Sequence, residues 1–240
     1  MTAQTIATPR ILTSQTVCDS LAPLEAGDHL SQKEFHARYE LMPEKVKAEL
    51  VEGIVYMQSP LKRTHGRYHS LLVRWLGIYE DATPGVEAYD NATTIMGDES
   101  EPQPDACLLI VPEKGGQARF TDEDYLEGAP EFIGEIASSS ESFDLHSKKR
   151  DYERAGVKEY LVYASRQKKI HWFILGASGF EELALSADGY FHSRVFPGLW
   201  LDPQAFTVLD GNRLMGCLTL GLSTTEHGEF VLQLNRLPSK

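Results

Sequence analysis

Three carboxylates and one lysine in this 240-residue chain stand where a folding core has little use for charge. Glu135 lies inside "EFIGEIASSS" (Glu131 to Ser140), an apolar, β-leaning run; Asp105 sits in "QPDACLLIV", and Glu49 enters "AELVEGIVYMQS". A carboxylate buried without a partner is costly, so each of these needs a metal, a cation or a proton. If their strands are neighbours, the three acids converge at one edge of a sheet. Hard oxygen ligands of that kind suit Mg²⁺ or Mn²⁺, which take few protein carboxylates and keep several waters. The sequence has no HExxH, no Cys/His cluster and no P-loop to recommend another metal or a nucleotide. Taken alone, Glu135 also reads as one half of a buried structural salt bridge.

A cation is available just downstream. In "DLHSKKRDYERAG", Leu145, Lys148, Tyr152 and Ala155 recur at helical spacing, so Lys148 shares the inward face while Lys149 is turned away by about 100°. Asp144 precedes Lys148 by one turn, as an N-cap or an (i, i+4) partner. Tyr152 reads as a packed ring with its hydroxyl on a polar neighbour, and Glu52 as a turn residue.

The elements that must position these groups follow from periodicity. "SQKE" from Ser31 fits a capping box, which predicts a short helix to about Tyr39. Alternation around Glu52-Gly53 predicts a hairpin. From Tyr68, the positions Leu71, Leu72, Trp75, Leu76 and Tyr79 mark an amphipathic helix with Arg67, Ser70 and Arg74 on its other side. Strands are expected at 86–96, 106–111, 132–137, 158–164, 170–175, 181–185 and 190–196, and a helix at 145–155 stopped by Gly156. Residues 115–128 read as a loop. The order predicts a mixed α/β (α+β) domain over residues 29–211, between a flexible arm at 1–28 and a C-terminal extension at 212–240.

A formal net charge of −12 excludes a protein coated in basic surface, though not a local basic groove. Between Gly53 and Tyr79 no acid occurs, while Lys62, Arg63, His65, Arg67, His69 and Arg74 cluster there, either as a rail for phosphates or as a solvated helix face. "RQKKIH" at Arg166 to His171 is a weaker second patch. His65 reads either as a phosphate or water contact or as a tie between the loop and the helix start. Three scattered cysteines suggest neither disulfides nor zinc, and no stretch has the length of a membrane span, so a cytoplasmic protein without membrane attachment is expected.

Taken in order, Glu49-Leu-Val-Glu-Gly-Ile, Ser59-Pro60, His65, Pro104-Asp105, Glu135-Ile-Ala-Ser138, Asp144 with Lys148 and Tyr152, Ala155-Gly-Val-Lys-Glu-Tyr160 and "FPGLWLD" resemble the Uma-two family of restriction-endonuclease-like proteins, over roughly Leu30 to Phe206. The resemblance implies the PD-(D/E)XK nuclease fold, a central mixed sheet flanked by helices with additional antiparallel strands. It implies that Asp105 and Glu135 bind the metal, that Glu49 is the acid preceding the core sheet and a further ligand, and that Lys148 is the lysine displaced from strand to helix. Ala137 stands where the superfamily commonly keeps that lysine. The implied activity is Mg²⁺-dependent hydrolysis of DNA phosphodiesters by a metal-activated water, from a homodimer because a duplex has two strands to cut. A non-catalytic nucleic-acid binder or assembly protein on the same fold is the alternative. A two-carboxylate glycosidase would want an open aromatic cleft without a central lysine.

Overall fold

A computed structural model of the protein describes residues 22–236 apart from 44 and 139; most of the expected N-terminal arm, residues 1–21, lies outside the described residues. The capping box forms at Ser31, whose hydroxyl accepts from the Glu34 amide at 3.3 Å while Glu34 accepts from the Ser31 amide at 3.2 Å, and it opens helix α1 (Gln32–Tyr39). Strands β1 (Ala48–Val51) and β2 (Ile54–Met57) pair antiparallel, and both turn residues, Glu52 and Gly53, have positive φ, as a two-residue hairpin turn requires. Leu24, Phe35, Ala48, Leu50 and Val55 close a small core beneath this hairpin.

Helix α2 (Arg63–Asp81) starts earlier than its apolar stripe, because its first turn is polar and buries only His65. The stretch read as one strand from 86 is broken at Asn91, with φ of 52°, into β3 (Val86–Asp90) and β4 (Thr94–Ile95). β5 (Ala106–Ile110) follows. The segment read as a loop contains two short strands, β6 (Arg119–Phe120) and β7 (Leu126–Glu127), which form a small sheet with β4. β8 (Phe132–Ala137) leads to a π-helical turn (Phe143–Lys148), helix α3 (Lys149–Ala155) and Gly156, whose left-handed backbone ends the helix. Next come β9 (Glu159–Ala164), β10 (Lys169–Gly176), β11 (Gly179–Glu182), β12 (Phe191–His192), β13 (Trp200–Leu201), α4 (Pro203–Thr207), α5 (Gly211–Leu222) and α6 (Thr225–Arg236). The strand expected over 190–196 is cut short because the amides of Arg194 and Val195 turn to the buried Glu159 carboxylate, at 2.7 and 3.0 Å, instead of to a ladder.

The main sheet has six strands in the order β11-β10-β9-β8-β5-β3, with β8 and β9 parallel and every other pair antiparallel. A parallel pair needs a crossover, and the π turn with α3 supplies it. Alternation along β8 sends Phe132 and Ile136 into the core under α2, and Ile133 and Ala137 into the core under α3. The two faces are therefore both apolar, and Glu135 belongs to the α3 face. Among the described residues no helix is long and apolar enough to cross a membrane.

The C-terminal helices are integral to this body: Leu214, Leu218 and Leu234 join the core under α2. A Cβ at Gly221 would lie 2.2 Å from the Gly198 carbonyl oxygen, backbone against backbone. Gly221→Ala is expected to cost about 1–3 kcal/mol in urea unfolding, the range for forced overpacking; an unchanged midpoint would show that the α5 contact is dispensable.

Candidate active site

Register brings the two principal acids together. β5 and β8 pair with Ala106 opposite Gly134, and continuing that register by one residue sets Asp105 opposite Glu135 on the α3 face of the sheet. The Asp105 amide points at Glu135 Oε2, 3.4 Å away, and the Ile136 amide donates to Asp105 Oδ2 at 2.7 Å. Glu49 arrives from a different direction. The β1–β2 hairpin is tied to the chain before β5 by reciprocal backbone bonds between Leu50 and Glu101, and this lets the Gln103 amide donate to Glu49 Oε1 at 2.8 Å.

Lys148 joins the acids. Its Nζ donates to Glu49 Oε1 at 2.8 Å and to Glu135 Oε1 at 2.9 Å, and the Tyr152 hydroxyl adds a third bond to Glu135 Oε1 at 2.9 Å. Glu49, Glu135, Asp144 and Lys148 are each only 4% exposed. Burial opposes the charge on Lys148, but the Glu135 and Glu49 carboxylates outweigh it and hold the ammonium protonated. Burial pushes the Glu135 carboxyl well above the ordinary range; Lys148 pulls it down, and Asp105, Asp144 and Glu49 add to the rise. Burial likewise keeps Tyr152 a neutral phenol, reinforced by the charge of Glu135. The expected α-helix over 145–155 begins instead as a π turn, a feature that recurs at functional sites.

Asp144 does not cap a helix. It sits inside the π turn, accepts from the Ser140 hydroxyl at 2.6 Å, and is pushed up to about 6, chiefly by burial. Its folded pKa lies above the unfolded value of 3.8, so the folded protein binds a proton that the unfolded chain releases between the two. Stability therefore falls as pH rises through that window, and the whole cost, on the order of 3 kcal/mol at most, is present at neutral pH. Asp144→Asn is expected to raise the urea midpoint near neutral pH and give no gain below about pH 4, measured with a chelator present. Equal midpoints at neutral pH would refute this.

His65, one turn into α2, faces the acids from the other side of the sheet edge. Its Nδ1 is 3.0 Å from the Ile136 carbonyl oxygen, and its Nε2 lies 3.3 Å from Asp105 Oδ1 without the alignment of a hydrogen bond. Asp105 holds the imidazole above its usual pKa against the opposing effect of burial. For Asp105, burial acts upward, but His65 and the Ile136 amide outweigh it and keep the carboxyl low. His69, four residues on, uses Nε2 against the Asp105 carbonyl at 2.8 Å and the Asp90 carboxylate at 3.0 Å. The sequence places His69 only in the basic cluster of this helix; the contact with Asp105 comes from the packing of α2 on the sheet.

The site forms the floor of a cleft of about 570 Å³. Lys62 and Arg166 line it, and Arg63 and Arg67 are exposed on the first turns of α2. Lys62 is the N-cap of α2 and gives no side-chain cap, so the helix presents its uncapped, electropositive end here. Arg74 is elsewhere: it does not line the cleft, and its guanidinium lies against Gly211 at the start of α5. Glu52 is a turn residue paired with Arg150 and Arg154.

As donors, Asp105 and Glu135 offer hard oxygen atoms beside one another, and the buried acids of the cleft outnumber Lys148 and His65. That chemistry fits a small divalent cation that keeps most of its coordination in water. Among the described residues no three His, Cys, Asp or Glu side chains stand in metal-ligand geometry, and Asp105 and Glu135 are the pair that could hold such an ion.

A central mixed sheet flanked by helices, with two acids facing each other across adjacent strands and a lysine delivered from the next helix, defines a restriction-endonuclease-like protein. The Uma2 family model, described as "putative restriction endonuclease", matches residues 33–204, and the chain belongs to this family. Among solved structures, it is similar to a crystal structure described as a putative nuclease belonging to DUF820 from Anabaena variabilis ATCC 29413. That likeness has a TM-score of 0.54 at 14% identity and covers 74% of this chain and 99% of the other. No curated protein matches the chain.

Proposed function

We propose that the protein is a metal-dependent DNA endonuclease that hydrolyses phosphodiester bonds. The observation that carries this reading is the convergence of Asp105, Glu135 and Lys148, from three separate elements, on the floor of one cleft. The family description and the nuclease title of the structural neighbour support it.

Asp105 and Glu135 would hold Mg²⁺ or Mn²⁺, and Glu49 is assigned as the further acid, acting on a second ion or on a water. When bound, the ion would polarise the scissile phosphate and lower the pKa of an adjacent water. The chain's own groups do the rest. Lys148, held protonated between Glu49 and Glu135, offsets negative charge on the phosphate as the water oxygen bonds to phosphorus and the bond to the leaving oxygen breaks. His65 steadies Asp105 and Tyr152 steadies Glu135, while the attacking water gives up its proton to solvent and the leaving oxygen takes one up from solvent. Lys62, Arg63 and Arg67 position the backbone without reading sequence.

Plasmid incubated with Mg²⁺ or Mn²⁺ should be nicked by the wild-type chain and left intact by Asp105→Ala. Salt-dependent DNA binding with no nicking under any divalent ion would favour an inactive binder on the same fold. A homodimer is part of the proposal, because each cleft holds one set of acids, and sedimentation of the full chain tests it. Cytoplasmic residence is proposed with it; Cys107 and Cys217 are free thiols, as a reducing compartment would leave them.

A further inference from the structure

The cleft is built for more than phosphate. Tyr56 in β2, paired across the hairpin with Glu49, and Phe143 in the π turn bring their rings to 4.2 Å between centroids, tilted by 41°, in the wall beside the acids. Both are half-buried, so part of each ring faces the cleft. Met57, Pro60 and Leu61 continue that apolar wall, and Leu61 stands 65% exposed next to Lys62. A rigid duplex offers a cleft only charged backbone and groove edges, because its base faces are stacked against one another. Charged backbone gains nothing from an aromatic and aliphatic wall, whereas an unpaired base has a free π-face that stacks on such a surface, with little regard to sequence.

Lys148 Nζ lies 5.6 Å from the Phe143 ring centroid while it bonds to Glu49 and Glu135, so the aromatic wall and the proposed reaction centre share one side chain. A nucleotide stacked there would carry its own phosphate toward the acids. The reacting groups themselves are recessed: Glu49, Glu135 and Lys148 are almost without exposure, and the Asp105 side chain is 13% exposed. A phosphate must descend to reach them, which a flexible single strand does more readily than a duplex. Lys62 and Arg166 line the cleft and supply the electrostatic rail that a single strand also needs.

We infer that the substrate is DNA with an unpaired nucleotide at the scissile phosphate, its base stacked on the Tyr56–Phe143 wall and wedged by Leu61. This deepens the nuclease reading and rests on it. Binding and cleavage are measured on the full chain with one labelled strand presented as single-stranded DNA, as its blunt duplex, and as that duplex with one unpaired nucleotide. Binding is read by fluorescence anisotropy with a chelator present, and cleavage with Mn²⁺. The expected result is tighter binding of the single strand and the bulged duplex than of the blunt duplex, and cutting at the unpaired position.

Leu61→Ala, which removes an exposed side chain and leaves the core alone, and Phe143→Leu, which keeps an apolar filler, should each weaken single-strand binding by about fivefold or more. Their binding to the blunt duplex should be unchanged. Blunt duplex bound and cut as well as the single strand overturns this inference while leaving the nuclease reading intact. Selective single-strand binding that both variants weaken, with no cleavage of any substrate, upholds the base-stacking wall and overturns the nuclease reading. Single-strand affinity indifferent to both substitutions overturns the wall.

Discussion

Lys148→Met is expected to destabilise the protein by about 3–5 kcal/mol near neutral pH, the range for removing one partner of a buried ion pair. Methionine replaces the aliphatic stem with little change of volume, so the cost is electrostatic. Glu49 Oε1 and Glu135 Oε1 both lose their cation, and each is 4% exposed. Against the roughly 5–15 kcal/mol that holds a domain together, such a loss is large. Its pH dependence identifies the cause. Left without its cation, the buried Glu135 carboxyl, already pushed up by burial, relieves the penalty by taking up a proton, so the gap between variant and wild type should narrow as pH falls. Adding Glu49→Gln to Lys148→Met should recover part of the loss, because one of the stranded charges is then gone. Urea unfolding of the three proteins measures this directly. A Lys148→Met variant as stable as wild type at neutral pH would mean that the lysine is not the partner of these acids.

Asp105→Asn is expected to separate chemistry from folding. The amide keeps the size of the side chain and an oxygen to accept from the Ile136 amide, now at 2.7 Å, so the unfolding midpoint should move little. Nuclease turnover should fall by about a hundredfold or more, since an ion's stabilisation of transition-state charge is worth several kcal/mol and each ~1.4 kcal/mol is tenfold in rate. A second readout does not depend on activity. Asp105 is the largest cause of the raised His65 pKa, with burial opposing it. Removing the Asp105 charge should therefore lower the His65 titration, observable in the imidazole resonances by NMR. An unmoved His65 would refute the contact, and retained turnover would refute the ligand role.

Much of the architecture was legible along the chain because it is local. The capping box at Ser31, the positive-φ turn at Glu52-Gly53, the stripe from Leu71 to Tyr79 and the stop at Gly156 each depend on residues a few positions apart, and each forms as the spacing predicts. The departures are places where a distant group competes with local preference. The amides of Arg194 and Val195 leave a ladder for the Glu159 carboxylate, and the first turn of the helix that carries Lys148 widens to a π turn. The C-terminal segment reads as an appendage by sequence, since the core that Leu214, Leu218 and Leu234 fill belongs mainly to other elements.

For the candidate site, the sequence by itself determined which residues are candidates. A carboxylate in the middle of a buried strand is a local contradiction that only a partner resolves, so Glu135, Asp105, Glu49 and an inward lysine stood out before any contact was known. Pairing was decided by the tertiary structure. Strand register, a choice among discrete alternatives fixed by both apolar faces of the sheet, sets Asp105 opposite Glu135. The hairpin's docking on Glu101 gives Lys148 a second carboxylate, and the approach of β2 to the π turn assembles the Tyr56–Phe143 wall from residues 87 positions apart in numbering (143 minus 56). Such contacts carry no local signal because their energy comes from desolvation and charge shared among segments, which exist as neighbours only once the chain has closed around them.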